Sequence, residues 1–314
     1  MKNIGLIKYK DADINNFTSD LGINIRRMIN KPLRALLRLG TGKKIVVESY
    51  PSLEKGKSYI FASTHSNVEE VPALLGIIDR SAYSLLGTTD QLEYNPAMYV
   101  NWLTGFIYVN RLDRDSRKSS LPKMERIINS GSSILMFPEG GWNNTENLLC
   151  QNLFAGVYNL SKNTNTPIVP ISTYKDFNGK SIYIKVGEPL DITRLDKKEG
   201  LLELRDILAT LKYEQIEKNS TPIKRDELPN DAREKYMENL KNEYTSIKWR
   251  KDVWSEELTV LKDKNIITPS DAIAYVDDVK VTEKNAYILA PTLVKREEDK
   301  KYDFENYMHK NWNK

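Results

Sequence analysis

Seven short apolar runs, at 44–49, 59–64, 82–87, 105–109, 133–137, 168–172 and 181–186, constrain the fold of this chain more than any other feature. They are rich in Ile, Val, Tyr and Phe and are bounded by Gly, Pro, Asn or Ser, the pattern of strands closed by turns. Stretches of helical composition lie between several of them, at 71–78, 120–130 and 154–162. A helix between two strands carries the chain back to the same end of a sheet. The alternation therefore predicts an α/β fold, a mixed and largely parallel sheet flanked by helices. Past about residue 191 the pattern stops: 196–262 is charged and helix-forming, interrupted near Pro222 and Pro229. Three regions are expected: an N-terminal segment 1–43, a core 44–195 and a mainly helical C-terminal extension 196–314.

Composition narrows the function classes. Apolar residues make up 40% of the 314, enough for a sizeable core, and a formal charge of +4 is too small to point to nucleic acid. The single cysteine, Cys150, excludes an internal disulfide and a cysteine-based zinc site. No window approaches the roughly 20 apolar residues of a spanning helix, and the first residues hold no apolar run that would serve as a signal core. The expectation is a cytoplasmic protein that meets lipid, if at all, from the surface.

The N-terminal segment is where that contact is expected. Arg27, Lys31, Arg34 and Arg38 recur at helical spacing, with Ile25, Met28, Ile29, Leu33, Leu36, Leu37 and Leu39 on the other side. Residues 21–44 carry seven Lys/Arg and no Asp/Glu, so positive charge is concentrated beside an apolar stripe. Such segments lie in an anionic membrane interface, and the basic residues with Leu33, Leu36 and Leu37 are the expected contacts. Pro32 predicts a bend or two short helices. A helix packed on its own core with a solvated basic back has the same pattern, and the two readings are compatible.

His65 and His309 are the only histidines, and His309 sits in a polar tail. His65 closes the apolar run at 59–64, which puts it at the C-terminal end of a strand, where parallel α/β sheets collect their catalytic groups. Pro72 is tolerated in a first helical turn, so a helix starts near Glu69 and Glu70 lies in that turn. On one continuous helix, residues five apart point about 140° apart. Across a loop-to-helix junction they can meet. A carboxylate on one ring nitrogen fixes the tautomer and leaves the other nitrogen free to take a proton from a hydroxyl. Read alone, the same segment equally describes a turn histidine followed by acids that favour a helix N-terminus. A His–Glu pair also occurs at metal sites, but no third ligand cluster accompanies it.

Three further segments bear on the choice. The run at 105–109 delivers Arg111, the run at 133–137 breaks at Pro138 and delivers Glu139, Gly140 and Gly141, and Val169-Pro170-Ile171 is an apolar block whose proline predicts an edge or a strand end. In this order the pieces resemble the glycerolipid acyltransferase family, which includes the lysophosphatidic acid acyltransferases. Its motifs are His-x4-Asp, Gly-x-x-Phe-x-x-Arg, Phe-Pro-Glu-Gly and an apolar-Pro-apolar block. Here they stand as His65 to Glu70, Gly105 to Arg111, Phe137 to Gly140, and Val169 to Ile171, within about 44–190.

The resemblance implies a fatty acyl transfer to the hydroxyl of a lysophospholipid or related acceptor. The donor would be a thioester of coenzyme A or of an acyl-carrier protein, a co-substrate rather than a bound cofactor. His65 would be the base and Glu70 its partner, with no metal. Arg111, Glu139 and Gly140, with the adjacent Gly141 and Trp142, would shape the acceptor site. The chain departs from the family in having Glu70 for aspartate, Gly141-Trp142-Asn143 where Thr-Arg is frequent, and Phe154-Ala155 near a usual lysine. Two cations that would grip a phosphate are thus missing, and the implied acceptor is a sugar, an amino-alcohol headgroup or another lysolipid rather than lysophosphatidic acid itself. A non-catalytic lipid- or acyl-carrier-binding protein on the same fold, and a thioesterase, are the alternatives.

Overall fold

The computed structural model describes residues 20–67, 69–86, 105–109, 114–143, 148–175 and 179–220, with a few more between 227 and 242. Arg111 and His309, and most of the region beyond 220, lie outside the described residues.

The expected strands form one sheet. They are β1 (Lys44–Ser49), β2 (Ile60–Ser63), β3 (Ala82–Leu86), β4 (Phe106–Tyr108), β5 (Ser133–Met136), β6 (Ile168–Lys175) and β7 (Ser181–Val186). Their order is β1-β7-β6-β2-β5-β3-β4, and every pairing is parallel except β6 with β7. The central strands β2, β5 and β6 are buried along most of their length, which is why they read as unbroken apolar runs. Helices cover both faces: α1 (Asp20–Met28), α2 (Asn30–Gly40), α3 (Glu70–Ile77), α4 (Arg114–Asn129), α5 (Gly156–Thr164) and α6 (Lys197–Asn219). Alternation along the strands divides the core. Ile60, Ala62, Ile134 and Ile168 join the α4, α5 and α6 residues Ile127, Leu160, Leu204 and Leu208. Phe61, Leu135, Val169 and Ile171 join Leu74 and Ile77 of α3, with Leu37 of α2 packed alongside.

Three expectations are changed by these contacts. Pro170 was expected at an edge or strand end, yet it lies inside β6, between β2 and β7. Its carbonyl accepts from Gly187, just past the end of β7, so the missing N–H is on the side where that neighbour has left the ladder. A Cβ on Gly187 would come within 3.0 Å of the proline ring. Composition also placed a boundary at 195. In the structure α6 packs on β6, β7 and α5, its Leu204 and Leu208 are fully buried, and Tyr158 Oη donates to Leu195 O at 2.9 Å. α6 is part of the same core.

The third concerns the N-terminal segment. The break expected from Pro32 is there as two short helices, parted at Ile29 with Pro32 in the first turn of α2, but the faces differ from those expected. Their inward face mixes apolar and basic groups. Leu33 is buried and Leu37 half-buried against the core, and neither reaches the surface expected of it. Arg34 donates to the carbonyls of Gly76 and Ile77 and so closes the C-terminal end of α3, while Arg26 donates to Ala82 O at 3.0 Å. Leu21, Ile25, Met28, Leu36 and Leu39 point outward instead, with exposures from 47% to 82%, and Arg27, Lys31 and Arg38 are exposed beside them. None of the described helices is long and apolar enough to cross a membrane.

Candidate active site

The parallel pairing of β2, β5 and β6 brings their C-terminal ends to one edge, and each end supplies part of one cluster. β2 runs out through Thr64, whose N–H still bonds to Ile171 O of β6, into His65. The chain then turns through Ser66 and Asn67 into α3, whose first residue is Glu70. The turn brings the two side chains together: His65 Nδ1 and Glu70 Oε2 are 2.9 Å apart.

Glu70 is wholly buried and heavily bonded. Its Oε2 accepts from Ser66 N–H at 2.9 Å, and its Oε1 accepts from Ser66 Oγ at 2.7 Å, Asn67 Nδ2 at 3.0 Å and the Thr173 hydroxyl of β6. Burial pushes this carboxyl upward, but the hydrogen bond and charge of His65, the Lys212 ammonium and the Thr173 hydroxyl outweigh it and hold it below the ordinary glutamate range. A carboxylate in this state can only accept, so it binds Nδ1–H and fixes the tautomer that leaves Nε2 as the proton acceptor. The imidazole keeps 15% of its side-chain surface exposed. Its ring stacks on Phe137, with centroids 4.0 Å apart, and meets the edge of Trp142 at 6.0 Å.

The strand β5 ends in Phe137-Pro138-Glu139-Gly140. Glu139 was expected to face the acceptor, but it is fully buried and ties the site together from below. One oxygen accepts from His65 N–H at 3.0 Å and the other from Gln151 N–H at 2.8 Å. Gly140 has φ +74°, and a Cβ there would come 2.4 Å from the Phe154 ring, so only glycine fits. Phe154, at 38% exposure, therefore stands over the turn where the resemblance would place a lysine. Gly141 and Trp142 are buried, and Trp142 is a wall against the imidazole rather than an open stacking surface. Arg111 lies outside the described residues.

Four contributors went unread in the sequence: Thr173, Ser66, Asn67 and Gln151. Ser66 and Asn67 sit inside the His-x4-Glu spacing and were visible as polar turn residues. Thr173 lies two residues past the apolar-Pro-apolar block, and only the strand pairing shows that it reaches Glu70, 103 residues away. Among the described residues no cluster of His, Cys, Asp and Glu has the makeup of a metal site.

The family model described as Acyltransferase matches residues 44–174, from β1 to the end of β6. Over these residues the chain is similar to the acyltransferase family. His65, Glu70 and the Phe-Pro-Glu-Gly turn fall inside the acyltransferase match, whereas α6 lies beyond it. A similar solved structure is the 1-acyl-sn-glycerophosphate (LPA) acyltransferase PlsC from Thermotoga maritima, at 13% identity and a TM-score of 0.49, over 63% of this chain and 82% of that one. No curated protein is matched by the sequence.

Proposed function

We propose that this acyltransferase moves a fatty acyl group from an acyl-CoA or acyl-carrier-protein thioester to the hydroxyl of a lysolipid or related acceptor at a membrane surface. The observation that carries the reading is the 2.9 Å contact between His65 Nδ1 and a Glu70 carboxylate fixed by donors from Ser66, Asn67 and Thr173. His65 Nε2 takes the acceptor's hydroxyl proton as the oxygen attacks the thioester carbon. The C–S bond then breaks, and the thiolate leaves with the proton that His65 held. Glu70 stays anionic and stabilises the imidazolium between the two transfers.

Two further features support the choice of acceptor and place. Phe154 and Trp142 line the turn where the family pattern has cations, which favours an uncharged or sugar-bearing acceptor over a phosphomonoester, with Arg111 as the remaining candidate for an anionic group. The exposed apolar residues of α1 and α2, flanked by Arg27, Lys31 and Arg38, favour attachment to an anionic membrane from one side. A screen of acyl-CoA and acyl-carrier-protein donors against lysolipid and sugar acceptors, read by mass spectrometry, tests the reading. The expected product is an acylated acceptor, absent with His65→Ala and not dominated by lysophosphatidic acid. Free fatty acid alone would make the protein a thioesterase, and no turnover with any pair would leave it a binding protein. Lysophosphatidic acid outpacing every neutral acceptor would overturn the acceptor assignment.

A further inference from the structure

Glu70 and Glu139 are both fully buried, and carboxylates so deep need compensation. His65 supplies a positive charge only while it holds a proton. Lys175 is taken by Glu69, at 3.5 Å. Among the described residues, a further cation comes from the helix layer on the other face of the sheet. Lys212 lies on α6, beyond the matched acyltransferase residues, and its ammonium donates to the backbone carbonyl of Thr173. The same ammonium is 5.8 Å from the Tyr174 ring centroid. Thr173 is held on its other side too, by its N–H to Thr64 Oγ1 at 3.2 Å, and its hydroxyl is the one that meets Glu70 Oε1.

We propose that Lys212 is a positioning residue of the site: it anchors Thr173 so that the hydroxyl stays on Glu70, and it balances the buried charge of Glu70 and Glu139. This rests on the reading of His65 and Glu70 as the reacting pair. The ammonium stands against the Thr173 carbonyl and the Tyr174 ring of β6, within electrostatic reach of Glu70 from α3 and of Glu139 and Cys150 from the turns after β5. Burial lowers the affinity of Lys212 for its proton below that of an ordinary lysine, and the carboxylates of Glu70 and Glu139 oppose that. Without the cation, Thr173 loses its anchor on α6, and Glu70 and Glu139 stand uncompensated beside the imidazole, which favours a proton kept on the His65–Glu70 pair. The chain beyond residue 174 thereby completes the site.

The test compares Lys212→Met and Lys212→Arg in the full chain, on a His309→Asn background in which His65 is the sole imidazole. One readout is kinetic and the other, NMR titration of the His65 ring, needs no substrate. Methionine is expected to lower kcat about tenfold with little change in KM for the donor. It should move both the acid limb of the rate profile and the ring titration upward by about half a pH unit or more. Arginine should restore most of each. A folded Lys212→Met protein with wild-type titration and kcat would reduce Lys212 to a packing residue. If Lys212→Met does not fold, Thr173→Val against Thr173→Ser decides: loss with valine and rescue by serine upholds the link, and wild-type kcat and titration with valine overturns it. Should the wild-type protein transfer no acyl group, the functional reading fails while the ring titration still decides the role of Lys212.

Discussion

The cluster around His65 and the helix pair α1–α2 depart from ordinary burial in opposite directions. In the first, two carboxylates are fully enclosed; in the second, Met28 and Leu39 are left 82% and 80% exposed. Each departure needs a counterpart, and the counterparts differ in kind. Around His65 they lie within the chain: the hydroxyl of Thr173, the amide of Asn67, the backbone N–H groups of Ser66 and Gln151, and the ammonium of Lys212. Along α1 and α2 the arginines that might have covered the apolar stripe are engaged elsewhere, Arg34 on the end of α3 and Arg26 on Ala82. Buried charge is answered from within the described chain, whereas the exposed apolar stripe has no cover among the described residues, in keeping with the proposed attachment to a membrane.

The contrast breaks first at Glu70. Replacing it by glutamine puts an N–H₂ among groups that already donate, and leaves the imidazole in the wrong tautomer. We expect kcat to fall about 10³-fold or more, and stability to drop by about 3 kcal/mol, measured by steady-state kinetics and urea unfolding. Wild-type turnover in Glu70→Gln would remove the pair from the mechanism. On the other side, Leu36→Glu with Leu39→Glu should weaken binding to anionic vesicles at least about a hundredfold, since each leucine contributes about 1.5 kcal/mol or more when inserted. Sedimentation with large vesicles reads this, and unchanged binding would mean that the stripe faces something else. Neutralising Arg27 and Lys31 should have the smaller effect, roughly fivefold for each charge at low salt, and fade as salt rises.

The smallest expected effect is in pH. Glu70 is held below the ordinary glutamate range in the folded state, so its contribution to stability is complete above that range and is lost as pH falls through the lowered folded value. The difference in unfolding free energy between wild type and Glu70→Gln should therefore narrow between about pH 5 and pH 3. A difference that stays constant over that range would mean that Glu70 is not held as an anion.

How much was legible beforehand follows from the range of each interaction. The strands were readable because burial on both faces makes a local run of apolar residues; β1 and β7 coincide with the expected 44–49 and 181–186. β6 was read three residues short, because Thr173, Tyr174 and Lys175 are polar residues retained in a strand by pairing with β7. The approach of His65 and Glu70 was legible because turn and helix start are neighbours in sequence. The inward role of Glu139 was not, since it depends on β2 and β5 lying side by side. For α1 and α2, periodicity identified two faces but not which one the core would take. In the structure Arg34 is on the inward face, bonded to the carbonyls at the end of α3, and Leu36 and Leu39 are on the outward one. Lys212 left no trace in pattern at all.

Arg34 ends the helix that Glu70 begins. Gly76 lets α2 come close enough for this, as a Cβ there would lie 2.5 Å from Arg38 Cγ. On the proposed reading, the eight residues of α3 act as a spacer of about 12 Å between a lipid-facing helix pair and a reacting imidazole. An acceptor whose tail stays among its neighbours can reach His65 only if its hydroxyl stands about that far above the plane on which the helices rest. The length of one short helix would then serve as a ruler, sorting acceptors by how high they hold the group to be acylated.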